Sequence, residues 1–275
     1  MLNPEKHKSP GKKSGDFPYW LVALGLIAVA IAYVIATNGL YTQIANAVSK
    51  GVYITVFVTL VGFALATLLG LIFALMGLSK SIVLRQIARF YVEVIRGIPM
   101  LVLLFYIAFV GAPALAWLID TVTQPLQQAG ITSEFRTRDI PLIWRAILAL
   151  MIGYSAFIAE VFRAGILSVD EGQVEAAEAL GLSPWQRFRL IVFPQAIRTI
   201  LPPLGNDFVA MVKDSSLVSV LGVADLTQMG KVYASGSFRF FETYSIVAYI
   251  YLVLTIGLSL GLRQIEKKMR KSQER

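Results

Sequence analysis

The chain has 275 residues, 56% of them hydrophobic, a mean hydropathy of +0.67 and a formal net charge of +8. That is more apolar surface than a water-soluble domain of this length can bury, so the composition points to an integral membrane protein and excludes an ordinary soluble fold. Cysteine is absent and the single histidine is His7, in a polar leader; disulfides, thiolate ligands, cysteine nucleophiles and histidine triads therefore lack their parts, and neither a catalytic residue nor a metal site is expected.

Residues 1–16 carry Lys, Pro, Gly and Ser without periodicity and are expected to form a flexible tail holding Lys6, Lys8, Lys12 and Lys13. A first uncharged run, 19–36, is long enough to cross a bilayer. Its long leader and the weak cleavage signal at Ala36-Thr37-Asn38 favour a retained helix over a signal peptide. Asn38-Gly39 is expected to end it, leaving a short outer connection to Lys50. Residues 17–50 then form an extra N-terminal unit ahead of a membrane domain over 51–265. Within that domain, 52–78 is the second spanning helix, and Ser79 to Arg96 reads as an interfacial amphipathic start to a third at 97–119. Residues 120–140, with Gln124-Pro125, Gly130 and several charges, read as an external loop.

The fourth and fifth helices, at 142–165 and 195–214, carry charges: Glu160 and Arg163 in the fourth, and Asn206, Asp207, Lys213 and Asp214 with Pro202-Pro203 in the fifth. Ionisable groups inside a membrane usually face a bundle interior or a water-filled path. Leu217 to Ala224 is apolar but too short to span, so 215–241 is expected to pack outside or partly re-enter. A sixth helix at 243–262 leads to a basic tail, 266–275. The fold class is all-α: a polytopic membrane protein of about six spanning helices. With both ends on one side, most of the 25 lysines and arginines fall on that side. This is the distribution of a cytoplasmic face, which makes the net charge a topology signal and not a nucleic-acid site.

Between the fourth and fifth helices, Gln173 to Leu180 is strong helix former, Gly181 suits a left-handed stop, and Ser183-Pro184 supplies a cap and first residue for a second helix through about Phe193. Two short helices should therefore meet at a sharp corner. The alanines Ala176 and Ala177 leave a narrow ridge suited to a groove on another protein, and Trp185, Phe188 and Ile191 are spaced to anchor the second helix against the membrane domain.

Glu175-Ala176-Ala177, then Gly181, then Ile191-Val192-Phe193-Pro194 resembles the EAA loop of binding-protein-dependent ABC importer permeases, a family that more often has Leu where this chain has Phe193. Further stretches are Arg96-Gly97-Ile98-Pro99 with Leu101 and Phe105, Tyr154, Glu160-Val161-Phe162-Arg163-Ala164-Gly165-Ile166, Gly172-Gln173 and Lys213-Asp214-Ser215-Ser216-Leu217. These are similar to the polar amino acid uptake permeases, the histidine, glutamine and arginine systems, over roughly 50–262. The resemblance implies a type I ABC importer permease fold in which the loop is a coupling helix. Glu175, Ala176, Ala177, Gly181, Leu182 and Pro184 would meet a separate ATPase. It further implies two ATPase subunits, a second permease subunit (the same chain or a related one), an extracytoplasmic substrate-binding protein, and residence in a bacterial inner membrane with both termini cytoplasmic. The extra N-terminal helix and the 120–140 loop depart from the family pattern.

The chain has no G-x-x-x-x-G-K-[ST] pattern, since Gly230-Lys231 lacks the earlier glycine and the following Ser or Thr. ATP and magnesium are thus expected on the partner, with no cofactor on this chain, which is not itself an enzyme. An amino acid zwitterion needs an acceptor for its ammonium and donors for its carboxylate. Asp207, Met211 and Asp214 share one face of the fifth helix, and Asn206, Ala210 and Lys213 the next. With Ser215 these residues are candidates for the substrate path; Lys213 and Asp214 read equally as a structural ion pair or a helix terminus. Glu93 with Arg96 and Glu160 with Arg163 are spaced for local ion pairs, structural or forming a gate. The same residues admit two rival classes. An ion-coupled secondary transporter or channel subunit would use the same intramembrane charges. An aspartyl enzyme is excluded because Asp207 and Asp214 stand about 10 Å apart along one helix, too far to share a proton.

Overall fold

The computed structural model describes residues 19–271, with side chains through Lys267. The expected leader at 1–16, with His7 and its four lysines, and residues 272–275 lie outside the described residues. Among those described the secondary structure is helical, with no strand. Helix α1 is Tyr19–Thr37, α2 Gly39–Gly77, α3 Ile82–Gly97, α4 Met100–Tyr106, α5 Ala112–Gln128 and α6 Leu142–Leu167. The short helices α7 (Glu171–Ala179) and α8 (Pro184–Arg187) precede α9 (Phe193–Asp214), α10 (Leu226–Ser237) and α11 (Phe240–Lys271).

By length and composition five helical segments can cross a membrane: α1, α2, Met100–Gln128, α6 and α11. Helix α9, expected as a further span, is not among them, because Arg198, Asp207, Lys213 and Asp214 lower its apolar content. It is nonetheless packed into the bundle beside α6, α11 and α2.

The centre of the molecule is the seam between α2 and α6. Helix α2 turns Thr55, Val58, Thr59, Gly62, Ala66, Gly70 and Ala74 inward at three- and four-residue spacing. Helix α6 answers with Ala146, Ile147, Leu150, Gly153, Tyr154 and Ile158. Small residues let the two backbones approach: a Cβ on Gly70 would sit 2.9 Å from Ser155 O and from Ile158 Cγ2. In lipid, where burial of apolar surface contributes little between helices, such close van der Waals contact is what holds them together.

Several boundaries differ from expectation. The outer connection at 39–50 is helix. Asn38 caps α2 rather than closing α1 against a loop, its side chain accepting from Leu40 N at 3.0 Å. Ile44 and Val48 continue the inward stripe and form a second core with Leu226, Ile246 and Val247. The expected boundary between residues 50 and 51 therefore falls inside a 39-residue helix, about 58 Å long, against a hydrocarbon layer of roughly 30 Å. The third span begins at Met100, separate from α3, because Pro99 holds Ile98 extended (φ −99°, ψ 129°). It then runs through a π turn at Ile107–Gly111 as far as Gln128, so the outer loop is shorter than 120–140. Asp120 ties that loop back, accepting from Phe135 N and Gln127 Nε2, both at 2.9 Å. Residues 215–241 do not span: a 3-10 turn over Ser215–Leu221 leads to α10, which crosses α2 where Thr55 Oγ1 accepts from Leu226 N at 3.1 Å. Helix α11 continues through Lys271, so the first half of the expected basic tail is helical.

The crossing of α2 and α10 at Gly51 is tight. A Cβ there would meet Asp225 C, Asp225 O and Leu226 N at 2.5 Å, all backbone atoms with no freedom to rotate away. Gly51→Ala is expected to destabilise the purified chain by about 1–3 kcal/mol, read as a lowered thermal midpoint. Gly25→Ala, in open space on α1, should leave the midpoint unchanged.

Candidate functional site

The charged corner folds as a rigid knuckle. Asp170 caps α7, accepting from Gln173 N. At the other end Leu182 N donates to Ala177 O at 3.1 Å and Gly181 N to Glu178 O at 2.8 Å, the paired bonds of a Schellman stop. Gly181 has φ +79°, a conformation that a side chain opposes. Ser183 and Gln186 then form a capping box, Ser183 N donating to Gln186 Oε1 at 2.8 Å, with Pro184 at the first position of α8. Arg187 pairs with Glu178 across the corner. Gln195 Nε2 donates to Gln173 Oε1 at 2.7 Å, fixing the knuckle to α9, and Ser168 Oγ at the end of α6 donates to Thr199 Oγ1 of α9 at 3.2 Å.

Two expectations about its surface need correction. Ala177 does not share an outward ridge with Ala176: it is 5% exposed, since i and i+1 point about 100° apart on a helix. Trp185 does not anchor α8. It is 66% exposed and stacks on Phe188, while Ile191 alone of the three packs on the main core. The face turned outward thus consists of Glu175, Ala176, Leu180, Gly181, Pro184 and Trp185, with Leu182 half-buried behind them. Leu180, at 80% exposure, was missed by sequence reasoning; its place directly before the left-handed glycine was the available signal. Nor is the second helix a separate element: α8 passes through a π turn at Phe188–Val192 straight into α9.

On α9, Asp207, Met211 and Asp214 do share a face, and it points inward. Met211 is fully buried in the main core, and Asp207 Oδ2 is shut off from solvent with no hydrogen-bond partner among the described residues. Asp214 accepts a 2.8 Å hydrogen bond from Tyr154 Oη on α6. Lys213 is exposed and makes no ion pair with Asp214, so the structural-pair reading falls; the helix-terminus reading stands, Asp214 being the last residue of α9. Asn206 is exposed on the neighbouring flank, and Ser215 is buried, donating to Val212 O at 2.7 Å. Tyr154 is the partner that spacing alone did not identify. A hydroxyl inside the apolar run 146–159 signals a buried acceptor opposite it.

Of the two charged pairs, one forms. Arg163 Nη2 donates to Glu160 Oε2 at 2.7 Å. Glu93 and Arg96 do not pair; the Arg96 guanidinium lies 5.4 Å from the centre of the Phe157 ring, which draws it toward α6. Helix α3 is held there by Tyr91, stacked on Phe73 with ring centres 3.7 Å apart and 2.7 Å from Ser155 Oγ. The rigidity of the knuckle is directly measurable. Gly181→Ala forces a side chain into the left-handed region at a cost of about 1–2 kcal/mol, so amide exchange at residues 181 and 182 should accelerate while the thermal midpoint of the bundle holds. Unchanged exchange would contradict the stop described here.

Residues 66–271 match the family described as binding-protein-dependent transport system inner membrane component. The probable amino-acid permease protein YxeN of Bacillus subtilis (strain 168) is 38% identical over 218 residues, covering 79% of this chain and 89% of that protein. The glutamine transport system permease protein GlnP of Escherichia coli (strain K12) is 34% identical over 221 residues, covering 80% and 92%. Among solved structures, that of an amino acid ABC transporter with histidines superposes with a TM-score of 0.67 at 38% identity, covering 83% of this chain and 95% of the other. The methionine ABC transporter MetNI in inward-facing form matches at 0.63 and 20% identity, a likeness of fold alone. By sequence, by fold and by the capped corner between α6 and α9, the chain belongs to the binding-protein-dependent transport system inner membrane components.

Proposed function

We propose that this chain is one transmembrane subunit of an ATP-driven, binding-protein-dependent importer for polar or charged amino acids in a bacterial inner membrane, with both termini cytoplasmic. The observation that carries the reading is the exposed, doubly capped knuckle of α7 and α8, continuous with a helix that holds two carboxylates inside the bundle. The amino-acid and glutamine systems named among its relatives support the substrate class. Glu175, Ala176, Gly181 and Pro184 meet an ATPase subunit that holds the ATP and magnesium, with Leu182 and the buried Ala177 bracing the surface from behind. A second permease subunit completes the path, and a soluble binding protein delivers substrate from outside.

Coupling follows from stiffness. Closure of the ATPases displaces the knuckle, and the bonds at Glu178 and Gln173 with the unbroken helix through Phe188–Val192 pass that displacement to α9 as a rigid body. Asp207 and Asp214 accept the substrate's ammonium, and Asn206 and Lys213, on the exposed flank, donate to its carboxylate. Tyr154 orients Asp214 and Ser215 closes the end of the helix. Glu160 with Arg163 is a structural pair on α6.

In the complex purified from its own membranes, an ATPase subunit should co-purify, and uptake should require ATP and binding protein. Uptake without ATP and without such a subunit would sink the proposal. Glu175→Ala should abolish substrate-stimulated ATP hydrolysis while the chain still reaches the membrane. Asp207→Asn and Asp214→Asn should each lower uptake about tenfold or more, the scale of a lost hydrogen bond to a charged group. Unchanged kinetics in both would remove α9 from the substrate path.

A further inference from the structure

At the end of the molecule opposite α10, a cleft of about 380 Å³ opens between α2, α3 and α6. Its charged lining is Arg85, Arg89, Arg96 and Arg163 against Glu93 and Glu160. Glu160 is paired with Arg163, and Arg96, over the Phe157 ring, adds its field to the same carboxylate without bonding to it. Arg85 donates to the carbonyls of Ser79 and Lys80 at 3.0 Å, bonds that leave its charge in place. Arg89 is exposed and makes no hydrogen bond or ion pair among the described residues. The cleft therefore carries more guanidinium than carboxylate, and the excess is uncompensated.

The arrangement of α3 gives that excess a direction. Arg85, Arg89 and Arg96 fall on one stripe, at i, i+4 and i+11. On the opposite side of the same helix, Val83, Ile87, Phe90 and Val94 form an apolar stripe facing away from the protein, Phe90 at 71% exposure. Ala88 and Val92, buried against the bundle, lie beside the arginine stripe. A helix whose cationic side turns to the cleft and whose opposite side is apolar and exposed lies along a membrane surface, the apolar side toward alkyl chains and the arginines at the level of headgroups. A soluble anion accounts for the arginines alone. A phospholipid layer against α3 accounts for both sides.

We infer that the cleft between α2, α3 and α6 binds the phosphate headgroup of an anionic phospholipid from the layer that the apolar side of α3 faces, with Arg89 and Arg96 as the principal donors. This site is separate from the substrate path on α9 and does not depend on the transport reading. Guanidinium groups suit it because their planar fork matches phosphate oxygens, and basic pockets between spanning helices are where acidic headgroups lodge.

The test uses the full chain with whatever subunits accompany it, purified in detergent, stripped of lipid and titrated with phosphatidylglycerol, phosphatidylcholine or inorganic phosphate. Retained lipid is counted by native mass spectrometry. Phosphatidylglycerol should be retained in preference to phosphatidylcholine; Arg89→Gln should weaken its retention about fivefold and Arg89→Gln with Arg96→Gln further. Lys231→Gln, on exposed α10 at the far end of α2, should change nothing. Equal retention of the two lipids by the unaltered chain would overturn the inference whether or not the variants fold. So would an Arg89→Gln chain that binds phosphatidylglycerol undiminished, or displacement of that lipid by inorganic phosphate at equal concentration, which would assign the cleft to a soluble anion.

Discussion

The close seam between α2 and α6 is the constraint on which the other contacts depend. Because Gly62, Ala66, Gly70 and Ala74 present almost no side chain, α6 lies near enough to α2 for its own flanks to be occupied by other helices. One flank receives α3 through Tyr91 at Ser155, and the other receives α9, where Ile200 fills the space beside Gly165. The same helix carries Tyr154 toward Asp214 and Phe157 toward Arg96. A bulkier stripe on α2 would thus displace three surfaces at once: the contact of Tyr154 with Asp214, the cleft lined with arginine, and the seat of α9. In lipid, with no hydrophobic drive between helices, this dependence on fit is to be expected.

The polar groups are distributed by what can satisfy them. Asp225, fully buried, receives backbone donors from Thr227 and Gln228 at the start of α10 and a hydrogen bond from Tyr251, and so serves as a cap. Asp207 is treated differently, with an oxygen hidden from solvent and no partner. Burying a carboxylate oxygen without a donor is costly, and a fold that readily supplies donors to Asp225 leaves Asp207 without one. That contrast between two aspartates of one bundle is the physical argument for the substrate path proposed on α9 and not on α10.

Much of this was legible in the chain itself, wherever a local rule had no competitor. The uncharged run beginning at Tyr19, the span opening at Leu142, the left-handed stop at Gly181 and the cap at Ser183 with Pro184 are decided within a few residues, and each appears where expected. What was illegible depended on partners distant in sequence. Asn38-Gly39 has the composition of a turn, and only the packing of Ile44 and Val48 on Leu226 and Ile246 shows that the helix resumes at once. Lys213 and Asp214 look like a pair because they are adjacent, yet adjacent residues on a helix diverge, and Asp214 finds Tyr154, sixty positions earlier. Trp185 breaks the general rule that large aromatics are buried, and its helical spacing with Phe188 and Ile191 carried no sign of the exception.

The π turn at Phe188–Val192 has a consequence beyond joining two helices. Such a turn accommodates one residue more than an α turn, and each residue swings the helix that follows by about 100°. The azimuth at which Asp207 and Asp214 meet the bundle is therefore phased to the knuckle by a single residue. Loss of one position between Phe188 and Val192 would preserve both elements, their caps and their composition, yet turn the carboxylates about 100° off the inward face. In the proposed importer this short stretch is an indexing mark between the surface that receives force and the face that meets the cargo, and it tolerates substitution far better than a change of length.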